Sequence, residues 1–317
     1  MKVLVTGGGG FVGRDLAGRL IDAGHNVIVS SRDPKTSIPG TAQQQVDELG
    51  PNTDWSAALE GVEAVIHLAA RVHVMNETTA DPMAENRRIN TEGSVKLATD
   101  AAQAGARHFI FLSTVKVHGE ATMALPFQAD NAPAPQDPYA IAKLEAEEAL
   151  REIAEKNAMR LHIIRPPLVY GPGVRGNFLS LLGLCRRGLP LPFGGIDNSR
   201  SLIYVGNLSD LICRALLKTD AGTAVYLCRD AEDISTPELF RRVAGALDVS
   251  LRIFPFPLPL LRLAGALTGK SAAISRLTES LSVDDAATRS DLDWTPPFSM
   301  IQGLKETADW FNNRPTR

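Results

Sequence analysis

The chain has 317 residues, 44% of them hydrophobic, which is enough to bury a large core in one domain or two. Its 36 acidic side chains outnumber 33 basic ones, and the formal net charge of −3 gives no sign of a nucleic-acid surface. The three cysteines (Cys185, Cys213, Cys228) are scattered without CxxC spacing, which argues against a disulfide framework or a metal site and fits a reducing cytoplasm.

The first predicted strand is 2–6, and the start MKVLVTGGGG has neither the apolar h-region nor the cleavage site of a signal peptide. The apolar run Val3-Leu4-Val5 stops at a glycine cluster, TGGGGFVG, and a helical pattern follows over 11–23. Gly7, Gly10 and Gly13 recur at intervals of three, and Gly8, Gly10 and Gly13 also satisfy G-x-G-x-x-G. A buried strand, a tight glycine turn and a helix N-terminus make a site for a pyrophosphate. Backbone N–H groups and the positive end of the helix dipole face the anion, and missing side chains let it approach. Further strands are predicted at 26–30, 43–46, 63–68, 107–113 and 160–165, with helices at 53–60, 84–105 and 138–157. This alternation argues an α/β fold, a doubly wound parallel sheet with helices on both faces. Ligands of such sheets bind at the carboxyl ends of the strands, so residues 7–13, 30–32, 68–71 and 113–114 become the candidate site.

After residue 165 the pattern loosens and prolines (Pro166, Pro167, Pro172, Pro190, Pro192) mark loops. Residues 1–166 are expected to form the Rossmann-type dinucleotide-binding domain, with 201–229 returning to it. Residues 167–317 are expected to form a smaller, mainly substrate-binding region. The apolar stretch 251–269 is interrupted by Pro255, Pro257, Pro259, Arg252 and Arg262. No uninterrupted run in it approaches the ~20 residues a membrane span needs. It reads as a Pro-rich loop feeding a buried helix from about Leu260, with a peripheral membrane or partner contact as the other reading.

The segment DPYAIAKLEAEEAL places Tyr139 and Lys143 at i and i+4 of one helix, behind the helix-start residues Asp137 and Pro138. An ammonium close to a phenol favours the phenolate, so Lys143 is expected to pull the pKa of Tyr139 down toward neutrality for acid–base work.

Six motifs then occur in a telling order: TGGGGFVG, HLAA at 67–70, Asn90 in RRINTEGSVKLA, FLST at 111–114, YAIAK at 139–143 and RPPLVYGPG at 165–173. Together they resemble an extended short-chain dehydrogenase/reductase of the nucleotide-sugar epimerase/dehydratase/reductase group, over essentially the whole chain. The resemblance implies a catalytic set of Thr114, with Ser113 beside it, Tyr139 and Lys143. Thr114 would hydrogen-bond the reacting oxygen, Tyr139 would transfer the proton, and Lys143 would hold the nicotinamide ribose and tune Tyr139. It further implies cofactor contacts from Gly7, Gly10, Phe11, Val12, Gly13, Leu68, Ala69, Ala70, Asn90 and Pro166, and substrate contacts from Arg71, Asn177 and Arg200. GLPLPFGG (188–195) resembles the segment that packs a nucleobase. One departure stands out: the family often reads V-Y-G after the Ser/Thr strand end, and this chain reads Val117-His118-Gly119. His118 is expected to be a solvated surface residue, with substrate contact the lesser reading.

At the end of the second strand, NAD-using relatives place an acid for the ribose 2′-OH. This chain has Ser31 followed by Arg32, and hydroxyls with a guanidinium suit a 2′-phosphate. NADP(H) is therefore favoured over NAD(H), which Asp33, one position later, would serve. FLSTVKVHGE, RPPLVYGPGVRGNF and NSRSLIYVGNLSDLI resemble the UDP-glucose 4-epimerase-like branch of bacterial polysaccharide clusters, which includes reductases of UDP-4-keto-6-deoxy-N-acetylhexosamines. The expectation is 4-keto reduction of such a sugar, with a UDP-sugar 4-epimerase as the alternative. A non-catalytic dinucleotide sensor is the remote alternative, since a sensor has no need of a proton donor. No metal, nucleic acid or transmembrane segment is expected. A cytoplasmic homodimer is, paired through 84–105 and 138–157.

Overall fold

Strand β1 (Lys2–Thr6) is buried along nearly its whole length, the signature of a central parallel strand covered on both faces. In chain order β2 (Asn26–Ser31), β3 (Ala42–Gln45), β4 (Ala64–His67), β5 (His108–Leu112) and β6 (Arg160–Arg165) follow, and then β7 (Leu168–Tyr170), β8 (Leu202–Tyr204) and β9 (Thr223–Leu227). Seven of them form one sheet in the order β3-β2-β1-β4-β5-β6-β9, with every pairing parallel. β7 and β8 make a separate parallel pair. The computed structural model describes residues 1–33, 36–72, 79–220 and 222–314.

The chain winds from β1 outward through β2 to β3, then returns to β4 on the other side of β1 and winds the opposite way. The reversal leaves a crevice above the carboxyl ends of β1 and β4, the place where doubly wound sheets bind ligands. The two faces of the sheet carry separate apolar clusters. Leu16, Leu20, Leu208 and Ile212 pack with β1 and β4 side chains on one. Trp55, Leu97, Leu150 and Phe109 fill the other. A third cluster around Tyr170, Phe178, Phe240 and Leu304 builds the region beside the sheet.

The expected doubly wound parallel sheet is present, and its first six strands lie within a residue or so of the predicted positions. Three elements differ. The predicted helix 53–60 is the single turn Ser56–Leu59. The predicted helix 84–105 is a short helix (Pro82–Asn86), a π segment (Arg87–Glu92) and an α-helix (Gly93–Gln103). The helix expected to be buried from about Leu260 runs Leu258–Leu267 and buries only Leu261 and Gly265. Apolar composition predicted burial there, and the fold leaves the outer face in solvent. Among the described residues no helix is long and apolar enough to cross a membrane.

Candidate active site

The glycine loop is closed by Gly10 N–H donating to the Gly7 carbonyl at 2.9 Å. Gly7 has φ of +68°, a left-handed conformation, and a Cβ there would lie 2.9 Å from the Ala69 backbone nitrogen. A Cβ on Gly13 would meet the Gly7 carbonyl oxygen and the Gly8 Cα, both at 2.5 Å. These two glycines therefore let β1, the 68–71 loop and the helix Phe11–Asp22 approach one another. Gly10 is different. It is exposed, it caps that helix, and a Cβ on it meets only the Gly7 carbonyl, at 3.0 Å. The space above Gly10 is open to a ligand. The N–H groups of Phe11, Val12 and Gly13 open the helix and have no acceptor within it. Bare backbone and orphan donors fit a pyrophosphate. A cavity of about 380 Å³ adjoins the loop, lined by Gly9, Gly10, Phe11, Arg14, Gly173 and Arg175 among others.

Across the crevice, Leu68, Ala69, Ala70 and Arg71 form the loop that follows β4, all of them half-buried. Asn90, only 1% exposed, clamps this loop. Its amide donates to the Arg71 carbonyl at 3.0 Å and accepts from the Arg71 N–H at 2.8 Å. It sits in the π segment, whose Thr91 hydroxyl donates to the Ala142 carbonyl at 2.8 Å. The irregular turn thus ties the loop to the helix Pro138–Lys156. A row of buried polar groups, Thr6, His67 and Ser94, runs beneath at 2.6 and 3.0 Å. Burial and the Lys143 charge hold the His67 imidazole down at about 3, so it is neutral at ordinary pH.

Thr114 ends the β5 segment, half-buried, and its Oγ1 accepts from the Lys116 N–H at 3.3 Å. Ser113 is turned inward and donates to Glu147 Oε1 at 2.5 Å, so Thr114 is the hydroxyl left at the crevice. The Asp137 carboxylate caps the next helix, accepting from the Ala140 N–H at 2.7 Å and from Lys116 Nζ at 2.6 Å. Pro138 begins the helix, and Tyr139 and Lys143 lie on one of its faces. Lys143 is 1% exposed, with Nζ 3.8 Å from the centroid of the Phe111 ring. Burial brings its ammonium down to about 7, opposed by Glu147. Tyr139 is half-buried, and burial raises its phenol above the ordinary value, with Asp137 pushing the same way. The expected lowering by Lys143 is not found: burial moves the phenol the opposite way.

Sequence reasoning missed what lies behind this set. Glu147 and Arg165 are 1% and 4% exposed at their side chains and form a buried ion pair, Nη2 to Oε2, at 2.5 Å. Arg165 Nη1 also donates to His118 Nε2 at 2.9 Å. His118 is 3% exposed and is held at about 4, chiefly by burial and next by the Arg165 charge. The expectation of a surface histidine is therefore corrected: the site of the departure from V-Y-G is a buried prop for an arginine. Two signals were available. Glu147 continues the four-residue spacing of Tyr139 and Lys143, and Arg165 follows directly on the apolar pair Ile163-Ile164 at the end of its strand.

The remaining candidates are spread around the crevice. Pro166 is buried, and its carbonyl accepts from the Val115 N–H at 3.0 Å, holding β6 beside Thr114. Ser31 Oγ pairs with Thr36 Oγ1 at 2.8 Å and accepts from the Asp33 N–H at 3.2 Å, and Arg32 is exposed. Asn177 is exposed in the first turn of the helix Gly176–Arg186. Arg200 is half-buried, and its Nη1 donates to the carbonyls of Arg276 and Glu279 at 2.9 and 3.0 Å. These bonds occupy one nitrogen of the guanidinium and fix its plane. Leu191, within 188–195, bridges to Ile253, so this segment is strand-like over a short stretch.

Known proteins resemble this chain in sequence and fold. Residues 3–228 match the model of the NAD dependent epimerase/dehydratase family. The chain is 40% identical to a UDP-glucose 4-epimerase of Vibrio cholerae, over 99% of this chain and 97% of that protein. It is 29% identical to a GDP-6-deoxy-D-mannose reductase of Pseudomonas aeruginosa, over 98% and 97%. A UDP-glucose 4-epimerase of Thermus thermophilus, solved in complex with NAD, has the same fold, with a TM-score of 0.78 at 22% identity and 99% coverage of both chains.

Proposed function

The chain belongs to the NAD dependent epimerase/dehydratase family and is an enzyme of its sugar-modifying type, and we propose that it reduces the 4-keto group of a UDP-4-keto-6-deoxy-N-acetylhexosamine. The observation that supports the reductive direction is the end of β2, where Ser31 and Arg32 stand in place of a carboxylate, because NADPH is the usual cellular reductant. When bound, the nicotinamide supplies hydride to C4 of the sugar. Charge grows on the C4 oxygen, so a proton donor there acts most strongly in the transition state. Tyr139 gives that oxygen its proton, and Thr114 gives it a second hydrogen bond. Lys143 holds the nicotinamide ribose and steadies the Tyr139 hydroxyl. Gly7, Gly10, Gly13, Phe11 and Val12 hold the pyrophosphate, and Leu68, Ala69, Ala70 and Pro166 wall the crevice. Asn90 acts through the 68–71 loop that it clamps.

Ser31 and Arg32 support NADP(H). No carboxylate stands at Ser31, and a hydroxyl pair beside a guanidinium suits a phosphate. Arg200, Asn177 and Arg71 are assigned to the UDP-sugar side. In this reading residues 1–166 with 201–229 bind cofactor and 167–317 mainly bind substrate. The enzyme works in the cytoplasm as a homodimer paired on the 84–105 and 138–157 helices, which pack against each other within the chain. The likeness to a UDP-glucose 4-epimerase over the whole chain favours a second reading, 4-epimerisation with tightly held NAD. One assay separates them. Stoichiometric NADPH oxidation with a UDP-4-keto-6-deoxy sugar supports the reductase. Interconversion of C4 epimers without net oxidation overturns it in favour of the epimerase.

A further inference from the structure

The helix Leu258–Leu267 fully buries only two of its ten residues, Leu261 and Gly265, with Leu258 packed partly against the third cluster. Gly265 permits this: a Cβ there would lie 2.7 Å from Ile274 Cγ1, so the helix Ser271–Thr278 folds back close against the inner face. The outer face carries Leu260, Leu263 and Leu267, which are 52%, 55% and 80% exposed. Their spacing of i, i+3 and i+7 sets them on one stripe, and Ala264 lies among them. Three exposed leucines on one short helix make a contiguous apolar patch, which soluble surfaces ordinarily avoid.

The charge around the stripe says what covers it. Residues 249–278 contain Arg252, Arg262, Lys270 and Arg276 and not one Asp or Glu, in a chain whose net charge is −3. All four basic side chains are exposed. A second copy meeting this face across a two-fold axis would set Arg262 and Lys270 against basic residues of the same segment. A surface that is apolar at depth and anionic at its rim matches the face on both counts.

We propose that the helix Leu258–Leu267 is a peripheral membrane anchor. It lays Leu260, Leu263 and Leu267 into the headgroup–acyl boundary of an anionic bilayer, with Arg262 and Lys270 on the lipid headgroups. The anchor does not depend on which reaction the active site performs. Its return helix ends at the Arg276 and Glu279 carbonyls that hold Arg200, so the anchored face continues into the region assigned to the UDP-sugar.

The test is flotation of the full chain with vesicles of phosphatidylcholine alone and of phosphatidylcholine mixed with phosphatidylglycerol. The full chain should float with the mixed vesicles and much less with neutral ones, and added salt should release it. Leu263→Glu with Leu267→Glu should cut binding to mixed vesicles by roughly tenfold or more, because two buried contacts become two repelled charges. Both positions are solvent-facing, so dinucleotide binding in the double variant should match the wild type. Arg262→Ala with Lys270→Ala should weaken binding and flatten its salt dependence. A wild type that ignores anionic vesicles, or a Leu263→Glu/Leu267→Glu protein that floats as well as the wild type, overturns the anchor. So does a dimer that this double variant splits while neither protein binds vesicles, which would assign the face to a second copy.

Discussion

Substituting Gly10 separates cofactor binding from folding more cleanly than any other change in the loop. A Cβ at Gly10 touches only the Gly7 carbonyl, at 3.0 Å, whereas one at Gly13 strikes two backbone atoms at 2.5 Å. Gly10 also lies in extended backbone that any residue adopts. Gly10→Ala therefore costs the fold little: a modestly poorer helix cap is set against a less flexible unfolded chain, each worth about 0.5–1 kcal/mol. The cost falls on the ligand. A side chain at Gly10 stands where the pyrophosphate must reach the N–H groups at the head of the Phe11–Asp22 helix. Two charge-assisted hydrogen bonds lost at about 1.5–3 kcal/mol each make about 3–6 kcal/mol, or roughly 10²–10⁴-fold in affinity. Gly10→Val should do at least as much. The assay is titration of NADPH fluorescence beside urea unfolding of the same preparations. A Gly10→Val protein with an unchanged urea midpoint and unchanged cofactor affinity would refute the placement of the pyrophosphate.

Arg32→Ala should weaken NADPH far more than NADH, by about 1.5–3 kcal/mol for one charge-assisted contact; equal losses for both cofactors would remove Arg32 from the 2′-phosphate. Tyr139→Phe should lower turnover by roughly 10²–10⁴ while cofactor still binds, and Lys143→Met should damage both turnover and cofactor affinity. If the two variants behave alike in a cofactor titration, the division of roles is wrong. Acid should destabilise the fold between about pH 6.5 and pH 4. His67 is held at about 3, His108 at about 3, and His118 and His162 at about 4, all chiefly by burial, so each stays neutral in the fold and protonates first in the unfolded chain. Their stabilisation is complete above the ordinary histidine value and is lost as pH falls, up to about 3 kcal/mol for each group by pH 4. A urea midpoint that stays level from about pH 7 to pH 4.5 contradicts this.

The sheet was legible because most of its strands are short apolar runs bounded by turn residues, and because a crevice at strand ends follows from winding direction alone. Lys143, Tyr139 and the glycines were legible as spacings within one element. What joins elements was not. Asn90 clamps a loop nineteen residues away in sequence, and the π segment that aims it has no distinct composition. His118 was misplaced because a polar residue in a loop is ordinarily solvated, and only the depth of Arg165 reveals that this one is not. The exposure of the Leu258–Leu267 helix was hidden for the opposite reason. Apolar residues predict burial, and a helix that keeps its leucines in water is a tertiary fact.

The helix Pro138–Lys156 joins these levels. Tyr139, Lys143 and Glu147 descend one face at four-residue spacing, from a half-buried phenol to a carboxylate in the core. Glu147 is too committed to neutralise Lys143. Its oxygens already accept from Arg165 at the end of β6 and from Ser113 at the end of β5. Those bonds fix how deeply the helix sits against the two strands whose ends carry Thr114 and Pro166. A buried ion pair rarely adds stability over apolar packing, yet breaking one by removing a partner costs about 3–5 kcal/mol. What Glu147 and Arg165 contribute is therefore register: they tie the helix Pro138–Lys156 to the ends of β5 and β6. Lys143 is left buried against the face of Phe111, and that burial, opposed only by the field of Glu147, brings its ammonium down to about 7.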